Sequence, residues 1–174
     1  MQAKKEPPWF IVIAGPACSG KSTLAAELAR RLHLPHLAMD AVRRRLLPDA
    51  AHTRADRRVA YRAMHWAAEL LLRAGAGVIL DAPYGHPEDR KELAQVSAST
   101  GVPAKLIECR VSPPVAIARF RQRGADAVRL DLNEKRVERL VRENSYTNSG
   151  LVLDTDTLSP AACLLQAESW LPII

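Results

Sequence analysis

A glycine-rich segment at residues 15–22 constrains the fold of this chain more than any other feature. It reads Gly-Pro-Ala-Cys-Ser-Gly-Lys-Ser and matches the pattern G-x-x-x-x-G-K-[ST]. An apolar run at residues 9–14 predicts a strand before it, and an amphipathic pattern predicts a helix after it. A phosphate-binding loop requires this order of strand, loop and helix. We therefore predict such a loop rather than a glycine-rich turn without a ligand.

The residue types in this segment suit a nucleoside triphosphate held with Mg²⁺. Gly15 and Gly20 allow a backbone path in which successive N–H groups point inward toward phosphate oxygens. Lys21 supplies a mobile charge for the β and γ phosphates, and the Ser22 hydroxyl can ligate Mg²⁺. The predicted nucleotide contacts in this part of the chain are Gly15, Cys18, Ser19, Gly20, Lys21, Ser22 and Thr23.

Length and composition favour one globular domain over residues 1–174. Hydrophobic residues make up 48% of the 174 residues and charged residues 25%, and the longest apolar runs have the length of strands. The first eight residues lack the apolar core of a signal peptide, so we expect a cytoplasmic protein without a membrane segment. The three cysteines have no paired spacing, which argues against disulfides and zinc. A net charge of +6 favours an anionic partner without specifying which anion.

Alternating apolar runs and helical patterns predict an α/β fold. We expect five strands near residues 9–14, 35–39, 78–81, 105–111 and 150–154, with helices between them and after the last. This alternation implies a parallel sheet with helices on both faces and a ligand site at the carboxyl ends of the strands. Asp40, Asp81 and Asp154 each follow or end a predicted strand, so they are expected to line one rim with residues 15–22.

Two carboxylates on this rim are candidates for chemistry. Asp40 could accept a proton from an attacking hydroxyl, and Arg43, three residues on, could hold an anionic group of the acceptor. The structural alternative is that Asp40 caps a helix and Arg43 is a surface residue. Asp81 ends an apolar strand and could hold Mg²⁺ directly or through water; its alternative is a turn residue.

Two arginines near the end of a predicted helix are candidates for stabilising charge in the transition state. Arg119 and Arg123 are four residues apart, so both can project from one helix face. The alternative is a solvated face rich in arginine, with Arg121 as a third member.

At these residues the chain resembles the kinase domain of polynucleotide 5′-kinases, within the small P-loop kinases of the AAA_33 type. The resemblance rests on residues 15–22, on Asp40-x-x-Arg43, on the strand ending in Asp81, and on the segment from Arg119 to Arg123. Chloramphenicol phosphotransferase, zeta toxins, gluconate kinase and adenylylsulfate kinase belong to the same wider set. Unlike the bacteriophage-type enzymes of this kind, the sequence predicts no phosphatase domain.

The resemblance implies a sheet of order 2-3-1-4-5, a mobile lid over residues 119–130, and ATP as the phosphoryl donor. It implies that Asp40 is the general base and Arg43 an acceptor ligand, with Lys21 and Arg123 also catalytic. Arg119 would contact ATP, and the adenine would lie between the lid and the loop that contains Asp156.

The acceptor stays open between a 5′-hydroxyl of a nucleotide or nucleic acid and a small metabolite or antibiotic. Aromatic residues, which stack on bases, make up only 5% of the chain and so disfavour a nucleic acid. Trp66 is expected in the core, and the substrate contacts are predicted at Arg43, Asp81 and Tyr84. The alternatives to this kinase are a nucleotide-dependent regulatory ATPase and a toxin-like kinase. The oligomeric state is not predicted.

Overall fold

A computed structural model describes residues 8–49, 53–123 and 132–171. It contains five strands: β1 (Phe10–Ala14), β2 (His36–Ala38), β3 (Val78–Ala82), β4 (Lys105–Arg110) and β5 (Leu151–Asp154). All pair in parallel, in the order β2-β3-β1-β4-β5. The helices described are α1 (Lys21–Leu32), α2 (Met39–Leu46), α3 (Arg54–Arg73), α4 (Pro87–Thr100), α5 (Pro113–Gln122), α6 (Glu134–Arg142) and α7 (Pro160–Trp170). The predicted α/β fold and strand order are therefore confirmed.

Helices cover both faces of the sheet, and the central strands are buried on both sides. All five residues of β1 and of β3 are buried. On one face, Val12 and Leu80 pack with residues of α3 and α4, such as Met64. On the other face, Ile11 and Ile13 pack with residues of α1 and α7. Strands buried on both faces are continuous apolar runs, which is why these two were readable from the sequence.

A smaller cluster lies beside the phosphate-binding loop. Cys18 packs with Val111 and with residues of α5 and α6, including Ala116 and Val137. This packing fixes the position of α5, whose last turn carries Arg119. The predicted lid spans residues 119–130, of which residues 124–130 lie outside the described part of the chain.

The prediction that Trp66 belongs to the core is wrong, because the Trp66 side chain is 66% exposed. The buried side of α3 carries Ala60, Met64 and Ala68. Trp66 lies two residues from Met64, about 200° around the helix, and therefore faces away from the sheet. None of the described helices is long and apolar enough to cross a membrane.

Candidate active site

The phosphate-binding loop begins at a glycine that the fold requires. Gly15 has a φ of +149°, and a Cβ on it would lie 2.6 Å from the Cys109 carbonyl oxygen and 2.6 Å from Ser19 Oγ. Its N–H donates to the Pro83 carbonyl oxygen at 3.2 Å. The first residue of the loop therefore packs tightly against the ends of β3 and β4, and a residue larger than glycine does not fit at position 15.

The end of the loop leads directly into α1. Gly20 has a φ of +82° and occupies the N-cap position of α1. It has no side chain with which to cap the helix, so the first N–H groups of α1 stay available to an external acceptor. Such N–H groups, together with the helix dipole, form a ready site for an anion. The loop conformation thus matches the predicted phosphate site.

Lys21, His36 and Ser22 surround the buried carboxylate of Asp81. Lys21 Nζ lies 3.7 Å from Asp81 Oδ1, and His36 Nε2 lies 3.6 Å from Asp81 Oδ2. Burial alone would raise the pKa of the Asp81 carboxyl, but the Lys21 charge and the neighbouring His36 and Ser22 side chains outweigh it and lower this pKa. Asp81 therefore lies in β3 rather than in a turn, and its lowered pKa keeps the carboxylate ionised at neutral pH.

The same residues fit a hard divalent cation. Asp81 Oδ1 is buried and accepts no hydrogen bond from any described residue. A carboxylate and a hydroxyl are the oxygen ligands that Mg²⁺ takes from proteins, with waters and phosphate oxygens completing the shell. Within the described residues, no three His, Cys, Asp or Glu side chains form a metal cluster. Ser22 and Asp81 would therefore hold Mg²⁺ together with a nucleotide rather than in a closed protein site.

A cleft of about 440 Å³, here called the Asp40 cleft, opens on one side of Lys21. Its polar lining comes from β2, α2, β3 and the end of α5, and consists of Lys21, Ser22, His36, Asp40, Arg44, Asp81 and Arg123. Asp40 lies in the first turn of α2, while the N-cap of that helix is Ala38. The N-cap alternative for Asp40 is therefore wrong, and Asp40 lies in the wall of the cleft.

A larger cleft of about 1000 Å³, here called the Thr155 cleft, lies on the other side of the loop. It is lined from the loop and α1 by Cys18, Ser19, Gly20 and Thr23, from the turn after β5 by Thr155 and Leu158, and from α7 by Leu164. Arg119 and Arg123 also line it, and Arg123 is shared with the Asp40 cleft. The loop residues thus separate two clefts that Arg123 borders in common.

Arg119 ties the loop to the opposite wall of the Thr155 cleft. Its Nη1 donates to the Cys18 carbonyl oxygen at 3.2 Å and to Thr155 Oγ1 at 3.0 Å, and its Nη2 donates to the Thr155 carbonyl oxygen. Arg121, by contrast, is exposed and pairs with Glu134 on α6 at 2.8 Å. The alternative of a common solvated arginine face therefore describes Arg121 and not Arg119.

All three cysteines also line the Thr155 cleft. Cys18, Cys109 and Cys163 are buried, free thiols, as expected from their spacing. Burial raises the pKa of Cys109 to about 12. It also raises the pKa of Cys163. Since the thiolate is the reactive form, these two residues act as small apolar groups of the cleft wall.

The structure does not bring Tyr84 into either cleft as a substrate contact. Its side chain is 2% exposed, its hydroxyl lies 3.0 Å from His65 Nε2, and its N–H donates to the Tyr61 hydroxyl. Burial raises the pKa of Tyr84 far above its usual value. The Tyr84 backbone is in the left-handed region, with φ +51°. The ring of Tyr84 packs in the core and so anchors the segment after Asp81.

Arg43 and Asp156 were predicted to contact ligands, and neither lines the cleft expected of it. Arg43 is 2% exposed, so it is not a surface residue, and it is not among the residues that line the Asp40 cleft. The Asp156 carboxylate accepts the Ser112 N–H at 2.9 Å, just before α5. Its contacts hold the start of α5, while Thr155 beside it faces the nucleotide-sized cleft.

Sequence reasoning missed His36, Arg44 and Thr155 as lining residues. His36 could have been found, because β2 lies beside β3 in the expected strand order and the pairing Ala38 with Asp81 places His36 near that carboxylate. Arg44 is four residues after Asp40, a spacing that places both on one helix face. Thr155 directly precedes the residue that was selected, and only the turn geometry distinguishes them.

Comparison with known proteins agrees with this geometry. The family model AAA_33, described as an AAA domain, matches residues 10–144. No curated protein sequence matches the chain. A sugar kinase from Janibacter sp. HTCC2649 is 19% identical, with 96% of each chain covered and a TM-score of 0.77. The Mycobacterium tuberculosis APS kinase CysC, in complex with AMPPNP and APS, is 20% identical, with 97% of this chain and 100% of that chain covered and a TM-score of 0.76.

A third solved structure has the same fold over part of its length. It is that of the Pnkp1/Rnl/Hen1 RNA repair complex, which is 15% identical, with 82% of this chain and 45% of that chain covered and a TM-score of 0.67. The family match covers well over half of the chain. The chain therefore belongs to the AAA_33 family, and the fold that it shares with these structures is that of the P-loop kinases.

Proposed function

We propose that the protein is an ATP-dependent kinase, with residues 1–174 forming one catalytic domain, that transfers the γ-phosphoryl group to a hydroxyl of a second substrate. The observation that carries this proposal is the arrangement of two clefts on opposite sides of the phosphate-binding loop. The Thr155 cleft is bordered by Gly20 and Thr23, and the Asp40 cleft by Lys21 and Ser22. A simple ATPase needs only the first, whereas a kinase needs a place for each substrate.

The residues have separate roles in this proposal. The backbone of residues 15–20 and the start of α1 bind the phosphates, and Lys21 neutralises charge on the β and γ groups. Mg²⁺, held by Ser22 and Asp81, supplies further charge neutralisation when bound. Asp40 orients the acceptor hydroxyl and takes its proton as the oxygen attacks phosphorus. Arg123 borders both clefts and stabilises the charge on the group in transfer.

The size of the Asp40 cleft supports a small acceptor. A volume of about 440 Å³ falls within the roughly 300–1,000 Å³ of small-molecule sites. No stacked aromatic platform lines this cleft among the described residues, and Phe120 is the only aromatic residue in its wall. A metabolite-sized alcohol therefore fits better than a nucleic acid strand, which gains affinity from successive stacked bases.

The test is transfer of label from γ-³²P ATP with Mg²⁺ to a panel of hydroxyl compounds. Sugars, polyols, nucleosides and hydroxylated antibiotics form the panel, with Asp40→Asn as the test variant. Asp49→Asn is the matched control, because Asp49 is an exposed residue a few positions away that lines neither cleft. We expect labelled product with the wild type and with Asp49→Asn, and at least a hundredfold lower kcat with Asp40→Asn.

Two results would contradict the proposal. Hydrolysis of ATP without transfer to any acceptor would favour the regulatory ATPase. Full turnover of an acceptor by Asp40→Asn would show that another group takes the proton.

A further inference from the structure

Among the described residues of the Asp40 cleft, one cation is not needed for the donor nucleotide and has no partner in the described part of the protein. Its charged lining includes Lys21, Arg44 and Arg123 as cations. Lys21 lies beside Asp81 and is required at the phosphates. Arg123 borders the Thr155 cleft as well, next to the donor site. Arg44 lines the Asp40 cleft and not the Thr155 cleft, so its charge faces the acceptor side alone.

Arg44 has no partner within the described part of the chain. Neither a hydrogen bond nor an ion pair joins its guanidinium to another described residue, in contrast to Arg54, which pairs with Asp89 at 2.9 Å. Arg44 is exposed on α2, whereas Arg43 beside it is buried. Arg45 is exposed as well but lines neither cleft. Only one of three consecutive arginines is therefore available to a ligand in the Asp40 cleft.

Arg44 and Asp40 act on the same ligand because of their spacing. Four residues apart in α2, they lie on one helix face, with their Cα atoms roughly 6 Å apart along the axis. The Asp40 carboxylate repels an anion, so an anionic group in this cleft is directed toward Arg44 and a hydroxyl toward Asp40. Guanidinium groups bind carboxylate, phosphate and sulfate through two parallel hydrogen bonds.

We propose that Arg44 binds an anionic group on the acceptor, so that the substrate is a small hydroxylated acid or ester of a carboxylic, phosphoric or sulfuric type. This inference rests on the proposed kinase function. An acceptor that contacts both Asp40 and Arg44 carries its hydroxyl and its anionic group on one small molecule, which suits a metabolite of sugar or nucleoside size. Arg44 contributes to acceptor affinity and orientation and takes no part in binding ATP.

The experiment uses acceptors in pairs that differ by the anionic group. The pairs are a sugar acid and its polyol, glycerol phosphate and glycerol, and a nucleoside 3′-monophosphate and its nucleoside, each assayed with γ-³²P ATP. We expect label in the anionic member of at least one pair, with kcat/KM at least tenfold above that of its uncharged partner. Arg44→Gln is expected to raise the KM of that acceptor at least tenfold while kcat stays within twofold.

Arg45→Gln is the matched control, since it removes the same charge from the same exposed helix outside the cleft. It is expected to leave KM for acceptor and ATP within twofold, and Arg44→Gln is expected to leave KM for ATP within twofold. Arg44→Lys should recover part of the acceptor affinity. Equal use of both members of every pair, or equal effects of Arg44→Gln and Arg45→Gln, would overturn this inference and leave the kinase standing. ATP hydrolysis without any labelled acceptor would overturn the proposed function, and this inference with it.

Discussion

Replacement of Arg119 by lysine is the sharpest test of how the donor site is held together. The Arg119 guanidinium donates three hydrogen bonds, to the Cys18 carbonyl oxygen and to the hydroxyl and carbonyl oxygens of Thr155. A lysine keeps the charge but presents a single ammonium group, which can reach one of these acceptors and cannot reproduce the planar fork. The substitution therefore removes about two hydrogen bonds from a charged donor.

The magnitude follows from these contacts. Hydrogen bonds to charged groups contribute about 1.5–3 kcal/mol each, and water can reach the partly buried Arg119, so we expect a loss of about 2–3 kcal/mol in the free energy of unfolding. Because Cys18 belongs to the phosphate-binding loop, some of this loss also appears in ATP affinity. We expect ATP to bind about tenfold more weakly, which corresponds to about 1.4 kcal/mol.

The assay combines urea unfolding, followed by circular dichroism, with titration of a fluorescent ATP analogue. Arg121→Lys is the control, because Arg121 lies on the same helix but is exposed and pairs with Glu134. An exposed substitution of this kind changes stability by less than about 0.5 kcal/mol. If Arg119→Lys and Arg121→Lys lose equal stability and bind ATP equally well, Arg119 does not hold the loop and the reasoning fails.

Three further predictions test the loop, the buried carboxylate and the outer helix face. Gly15→Ala should abolish binding of the ATP analogue and lower the free energy of unfolding by about 1–3 kcal/mol, since its Cβ would lie 2.6 Å from two oxygens. Gly101→Ala, at φ +71° in open space, should bind the ATP analogue normally. Because the pKa of Asp81 is lowered, its contribution to stability is present above pH 3.8 and is lost as pH falls through the folded pKa. The difference in urea midpoint between wild type and Asp81→Asn should therefore shrink below about pH 4. A difference that stays constant with pH would contradict this assignment. Trp66→Gln should change the free energy of unfolding by less than about 0.5 kcal/mol, whereas Met64→Ala should lower it by about 2–5 kcal/mol. A large loss of stability for Trp66→Gln in thermal unfolding would argue that a partner surface covers this residue.

The sheet and its central residues were predictable because short-range patterns encode them. The apolar runs at β1 and β3 are buried on both faces, so their composition alone distinguishes them from surface segments. The motif at residues 15–22 predicted the loop between β1 and α1. The strand that ends in Asp81 predicted that this carboxylate lies beside the loop. In a parallel sheet the carboxyl ends of neighbouring strands meet, which brings Lys21 and Asp81 to 3.7 Å without further information.

The direction of side chains on α2 could not be predicted, because it depends on how α2 packs rather than on its sequence. Met39 and Arg43, four residues apart, are the buried residues of this helix. Asp40 and Arg44, each one residue further, are therefore rotated by about 100° and reach the Asp40 cleft. All three arginines at positions 43–45 have the same propensity and charge, so only the packing of α2 decides which of them meets a ligand.

Tyr84 was misplaced for a related reason. Its environment is formed by residues distant in sequence, with the rings of Tyr61 and His65 of α3 centred 5.3 Å and 5.9 Å from its own. An aromatic residue shortly after a strand such as β3 has the same local sequence pattern whether its side chain faces a cleft or the core. Tyr84 also has a positive φ, and no local signal in the sequence indicates this backbone conformation.

The two halves of the site differ in how readily they can change. The donor half is built on central strands, where Gly15 has no room for a Cβ and Asp81 is 3% exposed, so substitutions there disturb the core. The acceptor half rests on α2, an eight-residue helix that follows β2 at the edge of the sheet, and Arg44 is exposed. Exposed helix residues can be exchanged at a cost below about 0.5 kcal/mol. Under the proposed function, we therefore expect substitutions in α2 to alter acceptor preference without loss of the donor site, with the first such change at Arg44.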